Sequence, residues 1–127
     1  MRQVCYNPGM KMPLDFTKPY VTKDGSIIRE IVHPGIQEGV SLSVAQATVS
    51  AGSTTVMHIH RTSQEVYHVT SGQGLMTLGR EEFPVGPGDT VLIMPGTPHQ
   101  VRNTGNVPLV ILCCCTPPYD HGDTELI

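Results

Sequence analysis

The chain has 127 residues, thirteen glycines, eleven prolines and a formal net charge of −3, from eleven acidic against eight basic side chains. This length encloses one compact unit with a real core, the wealth of turn formers excludes a helical bundle, and so few Lys and Arg give no basic stripe to neutralise phosphates, which argues against a nucleic-acid partner. No apolar run approaches the roughly 20 residues of a membrane span, and the opening MRQVCYNPGMKMPLDF lacks the apolar stretch of a signal peptide, so the sequence predicts a cytoplasmic protein with no membrane partner.

Residues 1 to 20, with Pro8, Pro13 and Pro19 and no periodicity, are expected to form an extended arm. An Asp24-Gly25 turn signal precedes the β-branched run Ile27 to Val32, which His33-Pro34-Gly35 closes, and this reads as a first hairpin or edge strand. Ser41 to Val49 alternates as a strand and leads through Ser50-Ala51-Gly52-Ser53 into a β-rich segment. There His58, Ile59 and His60 form one short strand, Arg61 to Gln64 a turn, and Glu65 to Val69 a second strand. Short strands follow at Leu75 to Gly79, Phe83 to Val85, Thr90 to Ile93, His99 to Arg102 and Leu109 to Cys115, with Glu81 and Glu82 expected at a solvated hairpin tip. Strands of four to six residues are the length typical of sandwiches and small barrels. No helix of note is predicted, and the tail from Pro117 to Ile127 shows little pattern.

Period-2 geometry sends His58 and His60 to one face and Ile59 to the other, so two imidazoles share a wall. The strand after the turn is able to return Glu65 beside them, and His99 opens a later strand. Neutral imidazole nitrogens with a carboxylate suit a divalent first-row metal, and Fe, Mn, Ni, Co and Zn all remain open. Burying three histidines with a glutamate is costly unless something charged compensates them. Tyr67, two residues beyond Glu65, is expected on the same interior face, where its phenol is a candidate acid or base; the plainer reading is a core aromatic. His68 alternates outward, while His33 and His121 lie in a loop and the tail. Arg29 reads as an edge arginine, or as a reach toward a substrate carboxylate if its strand covers a barrel mouth. Gln46, Thr48, Met57, Met76 and Met94 read by default as core packing. Cys113, Cys114 and Cys115 are adjacent, which fits disulfide geometry poorly, and read as small buried thiols; a metal role for Cys113 and Cys115 has no second ligand pair to support it.

With these residues in view, the chain resembles the cupin superfamily of small β-barrels. Gly52, His58, His60, Glu65 and Gly72 occupy every fixed position of the first cupin motif, G(X)5HXH(X)3,4E(X)6G. Gly88, Gly96, His99 and Asn103 match the second, G(X)5PXG(X)2H(X)3N, with Met94 standing where the first proline belongs. The resemblance covers Gly52 to Asn103 and extends to about Ser41 through Thr116.

It implies an all-β cupin double-stranded β-helix, a jelly-roll-like small barrel, as a single domain over residues 1–127: barrel about 41–116, arm and edge strand 1–40, tail 117–127. It also implies one divalent transition metal on His58, His60, Glu65 and His99, and a homodimer; open sheet edges make the Pro-rich arm and the 27–32 strand a natural device for covering a neighbour's edge. A metal-dependent enzyme acting on a small oxygen-bearing metabolite, a hydroxy or keto acid or a sugar derivative, is the leading expectation for function. A non-enzymatic small-molecule-binding or regulatory protein is the alternative, because the fold hosts both.

Overall fold

The structure, a computed structural model, describes residues 9–127, so the first eight residues of the expected arm lie outside the described residues. Eleven strands are present among them: β1 Tyr20–Val21, β2 Ile27–Val32, β3 Ser43–Val49, β4 His58–His60, β5 Gln64–Ser71, β6 Gly74–Leu78, β7 Glu81–Val85, β8 Thr90–Ile93, β9 His99–Asn103, β10 Leu109–Thr116 and β11 Thr124–Leu126. Only two single 3-10 turns, Leu14–Phe16 and His121–Asp123, interrupt the β pattern. Among the described residues no helix is long and apolar enough to cross a membrane.

The strands make two antiparallel sheets, one ordered β1-β2-β3-β10-β5-β8 and the other β11-β4-β9-β6-β7. Alternation sorts each strand into two faces. In β10, Leu109, Ile111, Cys113 and Cys115 are buried, while Val110, Leu112 and Cys114 are half-buried on the opposite face. Met76, Ile93, Val69 and Val101 complete the core with Leu109 and Ile111. The cysteines at 113, 114 and 115 are free thiols. Two of the three are buried as the sequence suggests; Cys114 falls on the outer phase of the strand.

Gly72 shows why one turn needs a glycine. It closes β5 at φ +88, and a Cβ there would stand 2.5 Å from the Pro108 carbonyl oxygen, inside any tolerable contact.

Several sequence expectations change. Glu81 and Glu82 are exposed, yet they begin β7, with the turn at Gly79-Arg80 before them. Met94 is exposed rather than packed. Gln46 and Thr48 lie on the face of β3 opposite Ala47 and Val49 and are half-buried. The Ile27–Val32 strand pairs with β3 and lies inside the sheet between β1 and β3 rather than at its edge. The tail is not patternless, because Thr124–Leu126 pairs antiparallel with His58–His60. That pairing brings the chain's end to the wall that carries the histidines.

Candidate metal centre

β4 and β9 lie side by side in the five-stranded sheet, with His58 and His99 as direct partners. His60 is two residues along β4 on the same face, and all three imidazoles are buried. Their ring centroids are 4.2 to 5.3 Å apart. Glu65 arrives from β5, in the other sheet. The sequence places it beside the histidines through a turn; the structure places it opposite them, across the barrel. His60 Nε2 is 2.9 Å from Glu65 Oε1, and His99 Nε2 is 3.5 Å from the same oxygen. One ligand atom from each of His58, His60, Glu65 and His99 lies within 4.8 Å of the others, a group able to hold one metal ion.

The outer hydrogen bonds decide which nitrogens face the centre. His58 Nδ1 is 2.8 Å from the Val56 carbonyl and His99 Nδ1 is 2.9 Å from the Thr97 carbonyl. A carbonyl only accepts, so both rings carry their proton on Nδ1. His60 Nδ1 is 3.0 Å from the Thr124 hydroxyl, whose own proton goes to the Asp120 carbonyl. That oxygen therefore accepts too. All three Nε2 atoms are then bare lone pairs aimed inward, the arrangement second-shell partners impose on metal-binding imidazoles.

At 2.9 Å the His60 and Glu65 atoms would bond only if the imidazole took a second proton. In the neutral ring they are two lone pairs face to face, and His60 Nε2, His99 Nε2 and Glu65 Oε1 are indeed buried without hydrogen-bond partners. Each unsatisfied buried group costs on the order of 1–3 kcal/mol. Burial lowers the pKa of His58, and His99 beside it lowers it further, against the raising influence of the Val56 carbonyl and Asp24. Burial pushes the Glu65 carboxyl up, and the hydrogen bonds and charge that His60 and His99 would supply in protonated form pull it down to about 2. Neutral nitrogens and a carboxylate converging on one point fit a divalent cation there.

Cys115 braces the carboxylate from behind. It stands opposite Glu65 across β10 and β5, and its thiol donates to Glu65 Oε2 at 3.3 Å. Burial and the Glu65 charge push that thiol's pKa up, so it stays a donor. The group able to hold an ion includes neither Cys113 nor Cys115, which disfavours the metal role for them.

A cavity of about 50 Å³, space for a few waters, opens beside the group. Tyr67 lines it and is almost fully buried, and its hydroxyl makes no hydrogen bond among the described residues. Burial, and then Glu65, push its pKa well up. Ala45 and Ala47 line it as well, and their small side chains leave the space open.

His68 bonds the Thr90 hydroxyl, His33 the Tyr119 carbonyl and His121 the Tyr119 hydroxyl; none joins the group. Arg29 donates to the Thr17 carbonyl of the arm at 2.7 Å and does not line the cavity. Asn103 serves the fold, since its amide ties the Val49 and Val107 carbonyls. Sequence reasoning missed Asp24, Glu30, Tyr119 and Thr124, all of which line the cavity. Asp24 carried a signal only as half of a turn pair, and Thr124 carried none.

Comparison with known proteins gives this arrangement a lineage. A family model described as Cupin domain matches residues 45–115. An uncharacterized protein of Methanocaldococcus jannaschii is 56% identical over 118 residues, which is 93% of this chain and 94% of that protein. An oxalate-binding protein of Thermotoga maritima is 29% identical over 68 residues, 54% of this chain and 56% of that one. Among solved structures, a predicted oxalate decarboxylase from Thermotoga maritima superposes with a TM-score of 0.75 at 19% identity, covering 85% of this chain and 99% of that one. Pac13 from Streptomyces, a nucleoside dehydratase, superposes with a TM-score of 0.74 at 21% identity, covering 94% and 91%. At these identities the two structures speak for the double-stranded β-helix fold alone.

Proposed function

The chain belongs to the cupin domain family, and on that premise we propose that it holds one divalent transition metal on His58, His60, Glu65 and His99 and acts as an enzyme on a small oxygen-bearing metabolite. The observation that carries this reading is the set of buried, unpartnered atoms His60 Nε2, His99 Nε2 and Glu65 Oε1, turned toward one point by the outer bonds of the rings. A bound ion would supply Lewis acidity to a carbonyl, carboxylate or hydroxyl of the substrate. The chain's own residues do the rest. Thr124 and the Val56 and Thr97 carbonyls lock the imidazoles, Cys115 orients Glu65, and the Tyr67 hydroxyl stands at the cavity wall as the candidate acid or base for a bound molecule.

A second reading, a binding protein that holds a small molecule without turning it over, is favoured by the name of the Thermotoga maritima relative, an oxalate-binding protein. We also propose self-association through the outer edge of β1, where Val21 is 69% exposed and Phe16 of the preceding turn 62%.

Elemental analysis of the full chain, purified without chelators or a metal-affinity tag, tests the metal site. About one equivalent per chain is expected, with a sharp loss in His60→Ala and a folded barrel retained. Unchanged metal content in His58→Ala, His60→Ala and His99→Ala alike would remove the assignment.

A further inference from the structure

The wall that faces the metal-binding group is acidic. Asp24 sits in the turn between β1 and β2 and is only 7% exposed. Its Oδ1 accepts from the Ser26 amide at 2.9 Å and the Ser26 hydroxyl at 2.6 Å, which fixes the carboxylate. Its Oδ2 has no hydrogen bond and points toward the histidines, 3.8 Å from His58 Nε2. The turn is tied to the strand of the ligands, because the Val56 amide donates to the Asp24 carbonyl at 2.8 Å. Glu30 of β2 repeats the arrangement. Its Oε2 accepts from the Tyr20 hydroxyl at 2.9 Å, while its Oε1 is buried and unpartnered. Both carboxylates line the cavity.

No lysine or arginine lines it among the described residues. The two cations nearest in sequence are engaged elsewhere: Lys23 donates to the His121 and Thr124 carbonyls, and Arg29 to the Thr17 carbonyl. A divalent cation carries one charge more than Glu65 balances, so Asp24 and Glu30 together would leave an excess of one negative charge over the space a ligand enters. An anionic ligand would meet like charge in a buried place, where screening is weak.

We propose that the site takes an uncharged, polyhydroxylated compound of the sugar class, whose hydroxyls donate to Asp24 Oδ2 and, further along β2, to Glu30 Oε1. This narrows the substrate class and rests on the reading of His58, His60, Glu65 and His99 as a metal site. The donor and acceptor count favours a hydroxyl ligand over the alternatives. An ionised carboxylate only accepts, so Asp24 and Glu30 need a ligand that donates. The Tyr67 hydroxyl, unbonded on the same cavity wall, needs one that accepts. A hydroxyl does both, whereas an ammonium donates and accepts nothing, and a dicarboxylate such as oxalate accepts and donates nothing.

The experiment is calorimetric titration of the metal-loaded full chain with D-ribose and dihydroxyacetone as uncharged probes, oxalate as a dianion and 1,3-diaminopropane as a dication, with metal content measured before and after each run. At least one uncharged probe is expected to bind about tenfold or more tighter than oxalate and the diamine. Asp24→Asn keeps an oxygen for both Ser26 bonds, and Glu30→Gln keeps the shape of its side chain. Each is expected to weaken the uncharged probe by about tenfold and to tighten oxalate. Oxalate or the diamine binding tighter than both uncharged probes, no saturation by either uncharged probe below about 50 mM, or an unchanged preference in both folded variants would each overturn the inference. Absence of metal from the purified protein would overturn the metal site as well, so the metal measurement separates the two failures.

Discussion

His60 and Thr124, 64 positions apart in sequence, are partners across β4 and β11, and the imidazole Nδ1 proton is donated to the threonine hydroxyl at 3.0 Å. The hydroxyl passes its own proton to the Asp120 carbonyl, so its oxygen is committed as acceptor. Thr124→Val keeps the shape and leaves the imidazole proton unpaired. Metal affinity, measured by competition with a chelator, is expected to fall about 10- to 100-fold, and the melting temperature to fall by several degrees because the unpaired buried proton costs on the order of 1–3 kcal/mol. Thr124→Ser should restore most of the affinity. An affinity unchanged in Thr124→Val would show that the hydroxyl does not set the ring.

Tyr67→Phe separates the enzyme from the binding protein. The change keeps the ring, which packs edge-on to His99 at 5.9 Å, and removes only the hydroxyl. Once a turned-over substrate is in hand, kcat is expected to drop by about two to four orders of magnitude with KM and metal content nearly constant. In a binding protein only affinity weakens, by about one hydrogen bond, roughly 1 kcal/mol. Full activity in the variant would take Tyr67 out of the mechanism.

Gly72→Ala probes the barrel apart from its chemistry. The added methyl meets the Pro108 carbonyl oxygen at 2.5 Å and the backbone must hold φ +88. A loss of about 2 to 4 kcal/mol in denaturant unfolding is expected. A midpoint equal to that of the wild type would mean that the β5–β6 turn and the strand after Pro108 separate at no cost.

Self-association is checked at Val21. Val21→Lys puts a charge on the exposed edge of β1 without touching the cavity, and sedimentation equilibrium is expected to show a weaker dimer than the wild type. A wild type that is monomeric at micromolar concentration would sink the proposal. Removal of residues 1 to 32 is a poor version of this test, since β2 pairs with β3 of the same chain and carries Glu30 into the cavity.

Local rules made much of the molecule legible. The alternation in His58-Ile59-His60 and in Glu65-Val66-Tyr67 follows from strand geometry whatever the partner strands are, and both triplets take the burial it implies. The same rule puts Cys113 and Cys115 on one face and Cys114 on the other, and the phase of β10 decides that the pair is the inward one. Met94 was misread because a turn residue has no strand phase to predict. Glu81 and Glu82 were misread because charge on an exposed strand looks like charge on a turn.

By itself, then, the sequence determined the all-β class, the position of most strands and the identity of the four residues that could hold a metal, because strand alternation and the two motifs, one carrying His58, His60 and Glu65 and the other His99, each depend on spacing along a short stretch of chain. Tertiary structure alone decided that Glu65 faces the histidines from the opposite sheet, that a three-residue strand at the chain's end holds His60, and that Asp24 and Glu30 leave unpaired carboxylate oxygens at the cavity. Those relations join residues from 5 to 64 positions apart through sheet packing and strand order. No period in the chain encodes them, since burial of an aspartate beside a turn is set by which segment packs over it and not by its neighbours in sequence.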